Sequence, residues 1–127
     1  MTTKTRFEQA EPILRVSNME ASVRYYTEKL GFENAEWGKE HFTCVLRDGA
    51  AIYLCHGSQG NSGTWVWVGV EDAEALYKEY VGSGANVRYP PRNYQWALEI
   101  HVEDPDGHIL RFGSDPLTDQ PFDEWPD

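Results

Sequence analysis

The chain has 127 residues, enough for one domain with a real hydrophobic core or two small modules sharing one. Its 21 acidic residues against 11 basic give a formal net charge of −10, which argues against nucleic acid as a partner and favours a cationic ligand. No apolar run is long enough to span a membrane and no signal-peptide pattern opens the chain, so the expected location is the cytoplasm.

Pro12–Ser17 reads as a strand, and Asn18 caps a helix over Met19–Lys29 that Gly31 ends. Strands follow at Phe32–Trp37, His41–Arg47 and Ala50–Cys55, the last two joined through Asp48-Gly49, a hairpin signal. Gly57–Gly63 is a flexible linker. Beyond it the plan repeats. Thr64–Val70 is a strand, Asp72 caps a helix to about Val81, and Gly82-Ser83-Gly84 ends it. Strands fit near Asn86–Tyr89, Trp96–Glu103 and His108–Gly113, the last two joined by Asp104-Pro105-Asp106-Gly107. Tyr89–Gln95 is a proline-rich loop.

The two halves match residue by residue. A displacement of 54 pairs Val16 with Val70, Asn18 with Asp72, Ala21 with Ala75 and Tyr26 with Tyr80. Two βαβββ modules, about 11–56 and 64–113, account for this pattern and give one α+β domain over 1–113 with a concave mixed sheet. An acidic tail follows at 114–127. It holds five acids and no base, so the part before it carries 16 acids against 11 bases. Its composition predicts that it adds little to the fold. Cys44 and Cys55 are read as buried free thiols, with a disulfide between neighbouring strands as the alternative.

In Thr64–Asp72 (TWVWVGVED), alternation sends Val66, Val68 and Val70 to one face and Trp65 and Trp67 to the other. The same parity puts Ile13, Arg15, Tyr53, Glu99, His101 and Arg111 on the face with the two tryptophans. Val16, Ile100, Val102, Leu110 and Phe112 go against the helices. His56 and His108, at strand ends or turns, are expected in solvent. No nucleophile elbow, phosphate loop or CxxC zinc pair is present.

Three stretches, NMEASVRYYTEKLGF, VWVGVEDAEALY and DPDGHILRF, resemble the vicinal oxygen chelate superfamily of glyoxalases, bleomycin-resistance proteins and extradiol dioxygenases. Within it, EPILRVSN, FTCVLRDGAAIYL, TWVWV and QWALEIHVEDPDG resemble most the bleomycin-resistance proteins. Enzymes of the superfamily hold a divalent metal at four inward strand positions. Here these positions carry Glu11, Tyr53 (nearby), Trp65 and Arg111. Only Glu11 matches a ligand type, since an indole offers no usable donor and a guanidinium repels a cation. A metal site and a cofactor are therefore not expected. A set made of Glu11 with Glu99 and His101 is the fallback. In the bleomycin-resistance proteins aromatics stack a planar bithiazole, one of them from the second subunit. The resemblance implies a homodimer and stacking by Phe42 and Trp96, with Trp65 and Trp67 nearby.

The expected ligand-binding set is Phe42, Tyr53, Trp65, Trp67, Trp96, Glu99, His101 and Arg111, with no catalytic residue. The expected function is non-catalytic sequestration of a planar, cationic small molecule, a form of antibiotic resistance. The alternative is a metal-dependent glyoxalase or dioxygenase-type enzyme with an altered metal site. A third reading is a module that binds another protein through Phe122 and Trp125 of the tail.

Overall fold

The computed structural model describes residues 4–126, so residues 1–3 and 127, the outer ends of the expected domain and tail, lie outside the described residues. In chain order the elements are β1 (Ile13–Arg15), α1 (Met19–Arg24), β2 (Glu33–Asn34), β3 (Phe42–Arg47), β4 (Ala50–Cys55), β5 (Trp65–Gly69), α2 (Ala73–Ser83), β6 (Asn86–Val87), β7 (Arg92–Asn93), β8 (Leu98–Glu103) and β9 (Ile109–Ser114).

The duplication read in the sequence is a duplication in space. One sheet runs β1-β4-β3-β2 and the other β5-β9-β8-β6. Each opens with a parallel pair, β1 with β4 and β5 with β9, and continues with an antiparallel hairpin. The helix caps are duplicated too. Asn18 Oδ1 accepts from Ala21 N at 3.0 Å, and Asp72 Oδ1 accepts from Ala75 N at 3.0 Å. Gly31 (φ 77) and Gly84 (φ 83) end the two helical runs in the left-handed region that glycine adopts without a Cβ clash. Asp48 takes φ 49 in the β3–β4 hairpin.

Three expectations change. The strand expected over Phe32–Trp37 shrinks to Glu33–Asn34, and the one over Asn86–Tyr89 to Asn86–Val87. The proline-rich loop contains a short strand, β7, that pairs with β8. The first helix ends in a π-helical turn, Tyr25–Lys29, closed by a Leu30 N to Tyr25 O bond of 3.2 Å. This segment sends both tyrosines into the second module. Tyr25 Oη donates to Glu103 O at 2.8 Å, and Tyr26 Oη donates to Asp104 Oδ2 at 2.8 Å.

The parity reading holds for the core. Leu14, Val16, Tyr26, Leu30, Val45, Ile52 and Leu54 of the first module meet Leu76, Tyr80, Ile100, Val102, Leu110 and Phe112 of the second in one cluster. Val66, Val68 and Val70 pack against it. Both helices and the inner faces of both sheets are spent there, which leaves the outer faces for other work. Cys44 and Cys55 are buried free thiols.

The DPDGH turn fastens the modules together. Asp104 Oδ1 accepts from the Asp106 and His108 amides at 2.9 Å each, an Asx-type turn. Asp106 Oδ1 accepts from Ser17 N at 2.9 Å, across the module boundary. His108 is fully buried rather than solvated. Its Nε2 donates to Arg15 O at 2.7 Å and its Nδ1 accepts from Thr64 N at 3.0 Å, so it joins the end of β1 to the start of β5. Only His56 of that expected pair lies in solvent.

Tyr26→Phe should therefore cost about 1–3 kcal/mol, because it removes a donor from the buried Asp104 carboxylate while leaving the ring packing intact. Urea unfolding that shows no loss would separate the tyrosine hydroxyl from the stability of the module boundary.

Candidate functional site

The outer face of the second sheet is organised around one side chain. Glu99 in β8 is 0 % exposed and carries a carboxylate on the face away from the helices. Arg111 of β9 donates to it twice, from Nε to Oε1 at 2.9 Å and from Nη2 to Oε2 at 3.0 Å, a bidentate pair. Trp96 Nε1 donates to Oε2 at 2.6 Å and Trp67 Nε1 to the same oxygen at 3.1 Å. His101 Nε2 donates to Oε1 at 3.1 Å.

Strand register explains why these residues meet. Trp67, Arg111 and His101 lie opposite one another across β5, β9 and β8. The next row is Gly69, Gly113 and Glu99. The Trp67 ring lies over the glycines of that row to reach Glu99. A Cβ at Gly113 would come within 2.5 Å of the indole, so glycine is what leaves it room.

Trp67 and Trp96 are pinned by their edges, and much of their surface stays open. Trp65, Trp67 and Trp96 are 52 %, 51 % and 52 % exposed. One face of Trp96 stacks on the buried Tyr94, with ring centres 4.9 Å apart and planes 8° from parallel. Trp65 meets the His101 ring edge-on at 5.8 Å. Trp65, Trp96 and Arg111, together with Trp125, line an open cavity of about 550 Å³.

Phe42 and Tyr53 belong to the other sheet. Their rings stack at 5.4 Å, and Trp37 stacks on Phe42 at 6.3 Å. The expected set of eight is thus divided, with Phe42 and Tyr53 on the first sheet and the other six on the second. Ile13 and Arg15 lie with the first group on β1, and the Arg15 guanidinium donates to Ser58 O at 2.9 Å. Sequence reading missed Trp37, Tyr89 and Tyr94 as members of these clusters. All three stand in loops or at loop ends, where no strand alternation assigns a face.

Charges inside the second-sheet site cancel. Burial would raise the Glu99 carboxyl, but its hydrogen bonds, led by Arg111, hold it below the ordinary carboxylate value of 4.5. Burial lowers His101 below its ordinary 6.5, against the opposing pull of Glu99. With Nε2 donating to Glu99, Nδ1 accepts from Tyr89 Oη at 2.6 Å, which fits a neutral imidazole. Burial pushes the Tyr89 hydroxyl up to about 12.

The residues at the superfamily's metal positions do not fit a metal ion. Arg111 is committed to Glu99, and Trp65 presents an indole. Glu11 stands just before β1, where its carboxylate beside Tyr53 raises the Tyr53 hydroxyl. The fallback trio is therefore corrected. Glu11 sits with Tyr53, while Glu99 and His101 bond each other on the second sheet. Among the described residues no group of three or more His, Cys, Asp and Glu is arranged to hold a metal ion.

The tail is the other correction. Asn93 in β7 is buried and clamps it. Leu117 N donates to Asn93 Oδ1 at 2.8 Å, Asn93 Nδ2 donates to Leu117 O at 2.9 Å and Pro121 O at 3.2 Å, and Asp123 Oδ2 accepts from Asn93 N at 2.8 Å. Asp123 N donates to Asn93 O at 2.7 Å. The segment is thus docked, and beyond the clamp Trp125 packs on Tyr94, Trp96, His101 and Arg111.

Two lowered groups of this site contribute to the acid response. The folded state binds fewer protons at His101 and Glu99 than the unfolded chain does, so unfolding takes up protons and acid promotes it. The His101 contribution is fully present above about pH 6.5 and is lost as the pH falls through its lowered value; Glu99 adds to this below about 4.5. Asp104, raised by burial, works in the opposite direction at the acid end. Thermal melts at about pH 7.5 and 5.5 should show the melting temperature falling with acid, and His101→Asn should flatten that fall. Equal slopes in the two proteins would remove His101 as its source.

The family model of the Glyoxalase/Bleomycin resistance protein/Dioxygenase superfamily matches residues 6–112. No curated protein sequence matches the chain. Among solved structures, the bleomycin-binding protein from bleomycin-producing Streptomyces verticillus, complexed with copper(II)-bleomycin, is similar at 23 % identity and TM-score 0.75. The match covers 87 % of this chain and 98 % of that one. The bleomycin resistance determinant encoded on the transposon Tn5 is similar at 20 % identity and TM-score 0.73, covering 87 % and 100 %. A glyoxalase/bleomycin resistance protein/dioxygenase from Nocardioides is similar at 23 % identity and TM-score 0.69, covering 97 % and 93 %. With duplicated modules, matching topology and a family match over most of its length, the chain belongs to the glyoxalase/bleomycin resistance protein/dioxygenase superfamily.

Proposed function

We propose that this protein binds and sequesters a planar, cationic small molecule of the bleomycin type without transforming it. The observation that carries the reading is three half-exposed indoles, two of them hydrogen-bonded to a carboxylate that is already neutralised and the third, Trp65, set against His101 beside it. Glu99 is spent on Arg111, the indoles and His101, so it is poorly placed to act as a general base. What the face offers a ligand is flat π surface. Such surface suits an electron-poor ring system and tolerates a positive charge, which the acidic chain also attracts. At two positions where superfamily enzymes place metal ligands, Trp65 and Arg111 turn a coordination site into a stacking surface. The similar Streptomyces verticillus and Tn5 proteins bind bleomycin or confer resistance to it, which supports the same ligand class here.

We further propose that the working form is a homodimer. Large apolar side chains stand exposed on both outer faces, Trp37 on the first sheet side and Trp65, Trp67 and Trp96 on the second. A second copy that laid its Phe42–Tyr53 face over the indole face would complete a cleft with aromatic walls on both sides.

Titrating a bleomycin-type glycopeptide should quench tryptophan fluorescence saturably. Trp65→Ala should weaken binding about fivefold, on the order of 1 kcal/mol for one lost stack, with the fold intact. A folded variant that binds as the parent does would overturn the stacking reading. Light scattering at micromolar concentration should give twice the chain mass of 14.6 kDa, and a monomer would overturn the shared cleft.

A further inference from the structure

We propose that Trp125 is a ligand-contacting wall of the second-sheet site, held there by Asn93 acting as a clamp. The inference rests on the binding role proposed for that face and extends it to a residue outside both repeats.

Two independent observations support it. The first is the cavity. Its lining is Trp65 from β5, Trp96 from the loop before β8, Arg111 from β9 and Trp125 from the segment after β9. About 550 Å³ is the size of an ordinary small-molecule site, and three of its four walls are indoles. The second is the clamp. Five hydrogen bonds tie Asn93 to Leu117, Pro121 and Asp123, and they place Trp125 two residues beyond Asp123. A segment whose only task was to solubilise the chain would have no need of a buried asparagine that uses both ends of its amide on it.

The placement of the Trp125 ring fits a wall. Its face meets the Arg111 guanidinium at 4.7 Å and its ring meets Tyr94 at 62° and 5.3 Å. Arg111 is thus held from one side by Glu99 and from another by the indole, so the charge it brings to the cavity wall is already paired. Trp96 and Trp125 stand 6.1 Å apart at 59°, too tilted to fill each other's faces by stacking. A flat heteroaromatic cation is the ligand class this lining takes, with Trp65, Trp96 and Trp125 as its aromatic walls.

The experiment is calorimetric titration of copper-free bleomycin into the full chain and four variants, with a thermal melt of each. Trp125→Ala should weaken binding about fivefold with a melting temperature close to the parent's, and Trp125→Phe should restore most of the loss. Asn93→Ala, which removes the three side-chain bonds to Leu117 and Pro121 but keeps the two backbone bonds to Asp123, should weaken binding by a smaller factor by loosening the segment. Trp65→Ala is the control for the site itself. Weakening by Trp65→Ala with none by Trp125→Ala overturns the wall while leaving the binding reading intact. Tighter binding by Trp125→Ala overturns it also, since the indole would then be a cover that the ligand displaces. No binding by the parent chain overturns both readings together.

Discussion

The Glu99 carboxylate has to be matched where it stands, and much of the second sheet's outer face follows from that. Removing an ionised carboxylate from water costs several kcal/mol even after relaxation, and only a well-directed set of donors offsets it. Here the set is a bidentate guanidinium, two indole N–H groups and an imidazole N–H. Each donor loses freedom in serving the charge. The tryptophans are held by their polar edges, so their faces are presented at fixed angles to solvent. A site built this way is preorganised for stacking, because the ordering cost is met during folding and not when a ligand arrives.

The same constraint decides what the site is unsuited to do. A carboxylate with five donors has little basicity left, and the imidazole beside it is neutral and bonded at both nitrogens. The chain's acidity also stops short of the site, since Arg111 balances Glu99. Long-range attraction of a cation comes from the surface, and local recognition comes from ring faces.

Duplication supplies the frame. Each module spends its helix and inner sheet face on the shared core, and each is left with one outer face of aromatic residues. The two faces have diverged in chemistry. The first stacks Trp37, Phe42 and Tyr53 on one another with Glu11 at the tyrosine hydroxyl; the second orders its indoles around a buried charge. The modules are held in register by the DPDGH turn and the π-helical tyrosines, which cross the boundary in both directions.

Much of this is legible in the residues themselves. Period-2 alternation assigns Val66, Val68 and Val70 to the core and Trp65 and Trp67 to the other face, because a strand has only two sides. The paired caps Asn18 and Asp72 and the displaced Val16–Val70 and Tyr26–Tyr80 matches expose the duplication, since each depends on local geometry that a short segment dictates. What alternation cannot state is which outward residues share a sheet. Phe42 and Trp65 obey the same rule and belong to different surfaces. Composition also misplaces His108 and the segment after β9. Histidine at a turn reads as solvated, and a proline-bearing acidic stretch reads as loose. Yet His108 reaches Arg15 across 93 residues and Asn93 holds Leu117 and Asp123 across 24 and 30. Local sequence determined the strands, the caps and their parity, because those follow from backbone geometry within a few residues. Only the tertiary structure decided that Glu99 would gather its donors and that Trp125 would dock beside them, because hydrogen bonds between distant segments leave no periodic trace in the chain.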